Sequence, residues 1–275
     1  FKFGANLAFF SYAPTTNSPF LNQSVGTWAL WTLGYGGNAL APGGSLFYKG
    51  RIYGKIALTS ALSSIAYGDV GQIQGAITNP AFAVGQIFAT SGRVAWMGSF
   101  VISNDAQSTE YVAFGNELGE VLVYSGDSPA ADNWTLIARL KTSSPIITGV
   151  LGAGGECTYA YENDTLIFTY SGVVSLKTLF ANKDKANVEA AGFISLPVNN
   201  YWTALVAGIP TSPSSTFKDG QSITAAFHET DRTLYILVQG HIDVNGTLDL
   251  TASTMFLYNL NGISWSIHKI TQQTG

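Results

Sequence analysis

His228, His241 and His268 are the three imidazoles of this chain, and Cys157 is its one thiol. His241-Ile242-Asp243 sets an imidazole and a carboxylate two positions apart. On a strand that places both on one face, where they could form a metal pair or an acid–base pair. Two ligands fall short of the three or four that a zinc site uses, so a solvated hairpin face is the weightier reading. His228 stands before the polar turn Glu229-Thr230-Asp231-Arg232, and His268 is one of the alternating polar residues after Trp265. Glu156 and Glu162 flank a strand near Cys157, and Asp127 and Asp132 flank a loop. Glycoside hydrolysis needs two carboxylates roughly 5–9 Å apart. With seventeen acids in the chain, proximity by chance is the simpler account of these pairs. No G-x-S-x-G, G-x-x-x-x-G-K-[ST] or G-x-G-x-x-G is present, so nucleophile-elbow and phosphate-cradle chemistry have no anchor. The expectation is a non-enzyme with no catalytic residue, no cofactor and no metal. Cys157 lies in an apolar run and reads as a buried inert thiol. A single cysteine rules out an intrachain disulfide and a cysteine-based zinc site.

Two further patterns invite a carbohydrate reading. Ser125-Gly126-Asp127, followed by Trp134, resembles the Asp-box turn of sialidase-like propellers, but the Trp is displaced and Pro129 stands where the box wants Gly. The arginines that such an enzyme gathers are few here: Arg51, Arg93, Arg139 and Arg232. Tyr201-Trp202 could stack on a sugar, against the alternative that these rings fill a core. The N-x-[ST] sequons at Asn22, Asn133, Asn163 and Asn245 matter only in a secretory setting.

The elements that must carry these residues follow from composition and spacing. Of 275 residues, 46% are hydrophobic and 11% charged, with a net charge of −4. The ordinary charged share is about 25%. The core can be large, and the surface must be carried by Ser, Thr, Asn, Gln and Gly, a composition suited to protein–protein contact. No basic tract offers phosphate neutralisation, and no apolar run reaches the ~18 residues of a membrane span. The chain opens at Phe1, in strand-like sequence and without a signal-peptide pattern, which suggests processing or a piece of a longer protein.

Thirty glycines and thirteen tyrosines, with short apolar runs between turn residues, predict an all-β chain. Strands are expected at 6–12, 27–33, 51–58, 86–90, 93–102, 110–115, 120–125, 134–140, 165–170, 202–206, 233–238, 254–259 and 264–270. Gly43-Gly44, Ser91-Gly92, Asn245-Gly246 and Asn261-Gly262 supply positive-φ turns, the third as a type I′ hairpin. Glu117-Leu118-Gly119 closes the hairpin between Val112 and Val121. A Trp followed by alternating residues recurs at Trp28, Trp134 and Trp265. The last two are preceded by a Tyr-bearing strand and a Gly turn (LVYSGD and FLYNLNG). Each pair reads as adjacent strands of one small sheet whose aromatics wedge against a neighbouring sheet. One short helix is expected within 175–189, capped by Ser175, as a surface connection. The Pro/Ser/Thr-rich stretches at 13–19 and 211–216 are too short to divide the chain, so 1–275 is one domain. At roughly 40–50 residues per blade, that length accommodates about five or six β-propeller blades.

Several segments, taken in order, carry a family resemblance. They begin with the strand at 111–115, the turn and strand Gly119-Glu120-Val121-Leu122-Val123-Tyr124-Ser125-Gly126, and Trp134-Thr135-Leu136. Ser144-Pro145-Ile146 follows, then the strand at 164–170 with Ser171-Gly172-Val173-Val174-Ser175-Leu176. The strand at 234–238 and Phe256-Leu257-Tyr258-Asn259-Leu260-Asn261-Gly262-Ile263-Ser264-Trp265 complete the set. Together they resemble a family of tail proteins of short-tailed bacteriophages. The family's D-G-V-V-P-L segment has Ser171 and Ser175 in place of its Asp and Pro. The resemblance spans roughly residues 70–270 and is closest at 111–140 and 254–267. Its motif residues here are Gly119, Tyr124, Gly126, Trp134, Gly172, Asn259, Gly262 and Trp265. It implies a β-propeller like the nozzle proteins, or like the packaged-DNA stabilisation proteins that plug the portal. Such proteins form sixfold rings around a DNA channel, bound to other tail or portal-adaptor proteins, with DNA passing through non-specifically.

The expected function is therefore a structural virion protein of a phage tail, nozzle or portal plug, without a membrane partner. A glycan- or receptor-binding propeller and a propeller glycosidase are the rivals. The first needs exposed Trp faces, the second converging carboxylates.

Overall fold

The computed structural model describes residues 2–3, 6–7, 10–13, 27–30, 33–36, 38–39, 45–56, 64–72, 75–90, 94–104, 107–147, 158–183, 193–208 and 223–271. Cys157, Glu156, Asn22, Gly43-Gly44, Ser91-Gly92, the stretch 211–216 and most of 13–19 lie outside them, as does the side chain of Trp28.

The chain forms small sheets from near neighbours. β1 (Lys2–Phe3) pairs with β2 (Asn6–Leu7), and β3 (Phe10–Ala13) with β4 (Thr27–Leu30). β5 (Leu33–Tyr35) and β6 (Asn38–Ala39) make a hairpin. β7 (Leu46–Tyr48), β8 (Arg51–Lys55) and β9 (Ile65–Tyr67) form an antiparallel meander. β10 (Gly75–Ile77) joins β5 in parallel. β11 (Val94–Asn104), β12 (Gln107–Asn116), β13 (Glu120–Ser125) and β14 (Thr135–Lys141) make a four-stranded antiparallel meander. Next comes the three-stranded sheet β15 (Thr158–Tyr161), β16 (Asp164–Thr169) and β17 (Gly172–Ser175). Helices α1 (Leu176–Ala181) and α2 (Asn199–Gly208) follow it. The last sheet holds β18 (Ile223–His228), β19 (Thr233–Ile242), β20 (Leu248–Asn259) and β21 (Ser264–Thr271). The protein is thus predominantly β, as its turn-punctuated sequence predicts.

The sheets stack in chain order. The β11–β14 sheet has two buried faces. Trp96, Phe100, Ala113, Val121, Val123 and Leu140 enter one core. Val94, Met97, Val112, Phe114, Leu122 and Tyr124 enter another, shared with Tyr48, Tyr53 and Tyr67 of the β7–β9 sheet. That burial explains the unbroken apolar runs in β12 and β13, since a strand covered on both sides has no solvent face to alternate with. The β7–β9 sheet turns Ala66 the other way, with neighbouring Ile56, onto Leu33 and Ile77. On the far side, Thr165 of β16 donates to the Ser99 carbonyl at 2.8 Å, and the Val101 amide donates to the Asn163 carbonyl at 3.0 Å. Phe168 faces the last sheet through Trp202, whose ring lies 6.2 Å from Phe168 and 5.4 Å from Phe256. The last sheet buries Leu234, Ile236, Val238 and Phe256 in this core. Its opposite face, with Leu237 and Ile270 each 39% exposed, joins no core cluster among the described residues.

Several expected elements differ. The strand expected at 202–206 is part of α2. Trp202, Leu205 and Val206 are its buried residues, an i, i+3, i+4 stripe that marks a helix. The strand expected at 86–90 is a 3₁₀ turn, Val84–Gln86, followed by a bend. Phe88 drops into the core there, and the amides of Ala89 and Thr90 go to a side chain rather than to a ladder. The helix expected after Ser175 is present, and the Ser175 hydroxyl accepts from the Thr178 amide at 3.0 Å. It is no surface connection, because Leu176, Leu179 and Phe180 are buried. The Asn245-Gly246 turn has positive φ at Gly246 alone, and Gly246 N–H donates to the Asp243 carbonyl. That is a type I turn with a bulge rather than type I′. Type I′ geometry appears instead at Lys49-Gly50, with φ of 48° and 72° between the paired Tyr48 and Arg51. At 261–263 the positive φ falls on Ile263, not on Gly262.

Gly115 marks the tightest packing in the stack. A Cβ there would sit 2.1 Å from the Trp96 indole, which is 2% exposed. Gly115→Ala is expected to destabilise the fold by about 1–3 kcal/mol or more through overpacking. Gly115→Ala combined with Trp96→Leu should cost less than the sum of the two single changes. Denaturant midpoints of the four proteins check this, and additive losses would separate the two sites.

Candidate functional site

Two Tyr–Trp pairs, which include the motif residues Tyr124, Trp134 and Trp265, sit at equivalent places in two different sheets, while Gly172 opens β17 of the sheet between them. In the β11–β14 sheet, Tyr124 on β13 stacks on Trp134 at the entry to β14, with centroids 5.1 Å apart and planes at 13°. In the last sheet, Tyr258 on β20 is registered opposite Trp265 on β21, and the rings stack at 4.7 Å and 24°. Each pair faces the sheet that precedes its own. Trp134 lies against Tyr53 and Tyr48 of the β7–β9 sheet at 6.5 and 6.4 Å. Trp265 donates its indole N–H to the Ile194 carbonyl at 2.8 Å, in the segment that follows the β15–β17 sheet. Offset stacking of this kind is worth roughly 0.5–1.5 kcal/mol beyond burial.

Three of the four motif glycines, Gly119, Gly126 and Gly172, allow close passage of the chain. Gly119 has φ +88°, and a Cβ there would lie 2.2 Å from the Thr142 hydroxyl. Gly126 has φ +118°, with the Asn133 carbonyl oxygen 2.4 Å from the same notional atom. Gly172, at φ +151°, is crowded at 2.6 Å by Ser195 Oγ and Asn199 Oδ1. Each lets a loop fold back onto its sheet where a side chain would prop it open. Asn259 accepts the Gly262 amide through Oδ1 at 2.8 Å and so fixes the last hairpin.

The residues with chemical potential do not converge. His228 Nδ1 lies 2.8 Å from Asp231 Oδ1 in an exposed turn. His241 Nδ1 lies 3.0 Å from the Tyr201 hydroxyl and 3.3 Å from Thr254 Oγ1, where it packs the β19 bulge. The Asp243 carboxylate accepts the Asn245 and Thr247 amides at 2.8 Å each, so it serves the turn rather than His241. His268 Nε2 is 3.1 Å from Ser266 Oγ. Glu162 pairs with Arg232 at 2.9 Å across the last two sheets. Asp127 and Asn133 bond reciprocally at 3.1 and 2.8 Å, closing the loop that resembled an Asp box. Among the described residues no three His, Cys, Asp or Glu side chains form a group that could hold a metal ion. Trp202 is fully buried and donates to the Thr169 carbonyl at 2.9 Å, so it fills core rather than binding sugar.

Two buried carboxylates, neither singled out by its sequence context, carry structural weight. Glu120 accepts the Ala89 amide (2.9 Å), the Thr90 amide (2.8 Å) and the Thr90 hydroxyl (2.7 Å), with the Arg139 guanidinium at 3.2 Å. Burial pushes its pKa up, but these donors together outweigh burial and hold it below the usual carboxylate range. Asn116 braces the assembly: its amide donates to Thr90 Oγ1, and its Oδ1 accepts the Glu120 amide at 2.8 Å. Asp164 accepts the Ser175 hydroxyl at 2.6 Å, the Lys177 amide at 2.9 Å and the Thr165 amide at 2.7 Å, tying β16 to the start of α1. Burial raises its pKa in spite of those bonds. No surrounding pattern distinguished either acid; a buried acid inside the apolar run after Gly119 was the one available hint.

No protein-family model and no curated protein sequence matches the chain.

Glu120 gives a pH test. Its folded pKa lies below the unfolded one, so its stabilisation is present above the ordinary Glu value, about 4.3, and is lost as pH falls through the depressed value. Glu120→Gln is expected to cost about 1–3 kcal/mol at neutral pH by weakening those bonds. The gap between the two proteins should narrow progressively as the pH drops below about 4.3. Urea titrations at several pH values measure it, and a pH-independent gap would show that the charge of Glu120 is not what holds the loop.

Proposed function

We propose that the chain is a structural virion protein of a phage tail, a nozzle or portal-plug subunit whose consecutive sheets form a β-propeller of about five or six blades. The observation that carries the reading is the stacking of local meanders in chain order, wedged by Tyr–Trp pairs set at equivalent places in two sheets. The ordered resemblance of residues 70–270 to short-tailed phage tail proteins gives that architecture its role. The role is mechanical: subunits close laterally into a ring, most simply a hexamer, that seals or guides the DNA exit path and binds neighbouring tail or portal-adaptor proteins. A charged share of 11% favours uncharged lateral contacts. The scarcity of Lys and Arg keeps DNA from sticking on its way through.

Particle mass and negative-stain images of the purified protein test this. A sixfold ring that persists unchanged when salt is raised to about 1 M is expected, because apolar and neutral polar contacts are not screened. A monomer that gains thermal stability with glycans, or turns one over, would replace the scaffold reading with a sugar-directed one.

A further inference from the structure

The chain contains two Asn–Gly steps, Asn245-Gly246 and Asn261-Gly262. Asparagine is a chemically labile residue, and a glycine after it leaves the attacking backbone nitrogen uncrowded. The fold treats the two steps differently.

Asn245 stands at the tip of the β19–β20 hairpin, where Val244, Asn245, Gly246 and Thr247 are all exposed. Gly246 has φ +80°, and nothing lies within 4 Å of the place its Cβ would take. Most ties of this turn sit on either side of the reacting step. Asp243 Oδ1 accepts the Asn245 and Thr247 amides at 2.8 Å each, and the Asp243 amide donates to the Thr247 carbonyl at 3.0 Å. The peptide between Asn245 and Gly246 can turn over with those bonds intact, since glycine accepts the new φ. The bonds to be released are the one from the Gly246 N–H to the Asp243 carbonyl, at 3.0 Å, and the one from the Asn245 side chain to the Asp243 carboxylate.

Asn261 is exposed as well, but its glycine is clamped. The Gly262 N–H, the nitrogen that would attack, donates to Asn259 Oδ1 at 2.8 Å. Ser264 Oγ lies 3.3 Å from the place of a Gly262 Cβ, and Asn259 Oδ1 3.5 Å. The Leu260 amide ties the same turn to the Arg232 carbonyl at 3.0 Å.

We infer that Asn245 is a site of spontaneous deamidation in the folded protein, and that Asn261 is protected from it. The Gly246 nitrogen gives its proton to solvent base and attacks Asn245 Cγ, forming a cyclic imide. The Cγ–Nδ2 bond breaks, and the nitrogen takes up a proton and leaves as ammonia. Water then adds to one imide carbonyl and opens the ring to aspartate or to isoaspartate. The product sets a carboxylate beside Asp243. As isoaspartate it also lengthens the backbone by a methylene between the 245 and 247 amides, so Asp243 Oδ1 no longer holds both. The tip then loosens where Ile242 pairs with Leu248. The reaction is intramolecular and does not rest on the ring reading above.

Incubation of the folded protein at mildly alkaline pH, followed by peptide mass spectrometry, tests it. The Asn245 peptide should convert roughly two- to tenfold faster than the Asn261 peptide, the factor that one ordinary hydrogen bond sets. In unfolding concentrations of urea the two rates should converge, since a bulky aliphatic residue, Val244 or Leu260, precedes each step. Asn259→Ala should raise the rate at Asn261 and leave that at Asn245 unchanged. Equal rates in the folded protein, or a faster Asn261, overturn the proposal. A ratio that persists in urea overturns it too, because the local sequence then sets the rates. An unchanged Asn261 rate in Asn259→Ala does the same, because the side-chain clamp then protects nothing. A rise at both sites marks an unfolded variant, and the ratio in the unmodified protein, folded against urea, then decides.

Discussion

The β11–β14 sheet is buried on both faces, and most of the architecture follows from that constraint. The central stretches of β12 and β13, covered on both sides, have no solvent face on which to place a charge. Val112–Phe114 and Val121–Tyr124 are accordingly apolar without alternation, and all seven residues are 4% exposed or less. The two cores are built from different materials. The side toward β7–β9 is a cluster of aromatic rings, Tyr48, Tyr53, Tyr67, Phe114, Tyr124 and Trp134. The side toward β15–β17 mixes many aliphatic side chains with Trp96, Phe100, Phe168 and Phe180, the last with its ring 5.1 Å from Phe100. Trp96 fits only because Gly115 on the neighbouring strand offers no Cβ, so one missing methyl group sets how deep the indole can lie.

Polar groups inside such a stack are held by several donors at once. A carboxylate out of water is costly unless bonds replace its hydration. Glu120 meets that condition with three short bonds and an arginine, and the result is that residues 89–90 are pinned to a sheet they do not join. Asp164 meets it less fully: burial still dominates its titration, and its bonds organise the turn from β17 into α1. The two acids respond to pH in opposite directions. Glu120 contributes more stability as pH rises from the acid side, while Asp164, with its raised folded pKa, favours the native state more as pH falls.

The parts of this fold legible in the sequence were those governed by neighbours in the chain. The β12–β13 hairpin, the β13–Trp134 and β20–Trp265 pairings and the Ser175 cap each depend on a few consecutive residues, and each stands where its spacing placed it. The failures have a common cause in tertiary demand. Residues 202–206 alternate poorly but read as strand by composition, and only the Trp202, Leu205, Val206 stripe betrays the helix that the adjoining sheets enclose. Residues 86–90 are apolar enough for a strand, yet Glu120, distant in sequence, takes their amides. Ile263 adopts a positive φ beside an available glycine, in a turn where the Gly262 amide is held by the Asn259 side chain. Nothing local to Glu120 or Asp164 reveals the donors that make them structural, since those donors arrive from other elements.

The Lys and Arg residues of the two four-stranded sheets are concentrated on one edge strand of each. A sheet's edge strand exposes unpaired amides and carbonyls that invite another strand, and charged side chains there discourage it. β14 is the edge of its sheet and carries Arg139 and Lys141; β21 is the edge of the last sheet and carries Lys269. The faces are treated differently. The inner rows of the large sheets are mainly apolar, with Glu120 and Thr254 buried among them, and the two central outer rows of the last sheet carry neutral side chains. The opposite edges, β11 and β18, carry no Lys, Arg, Asp or Glu, so charge guards one edge of each sheet, and Arg139 and Lys269 also pair there with Glu120 and Asp249. The acids and histidines with traced bonds hold turns and inter-sheet ties: Asp243 and Asp231 serve turns, Glu120 and Asp164 tie neighbouring elements, and Glu162 meets Arg232 across two sheets.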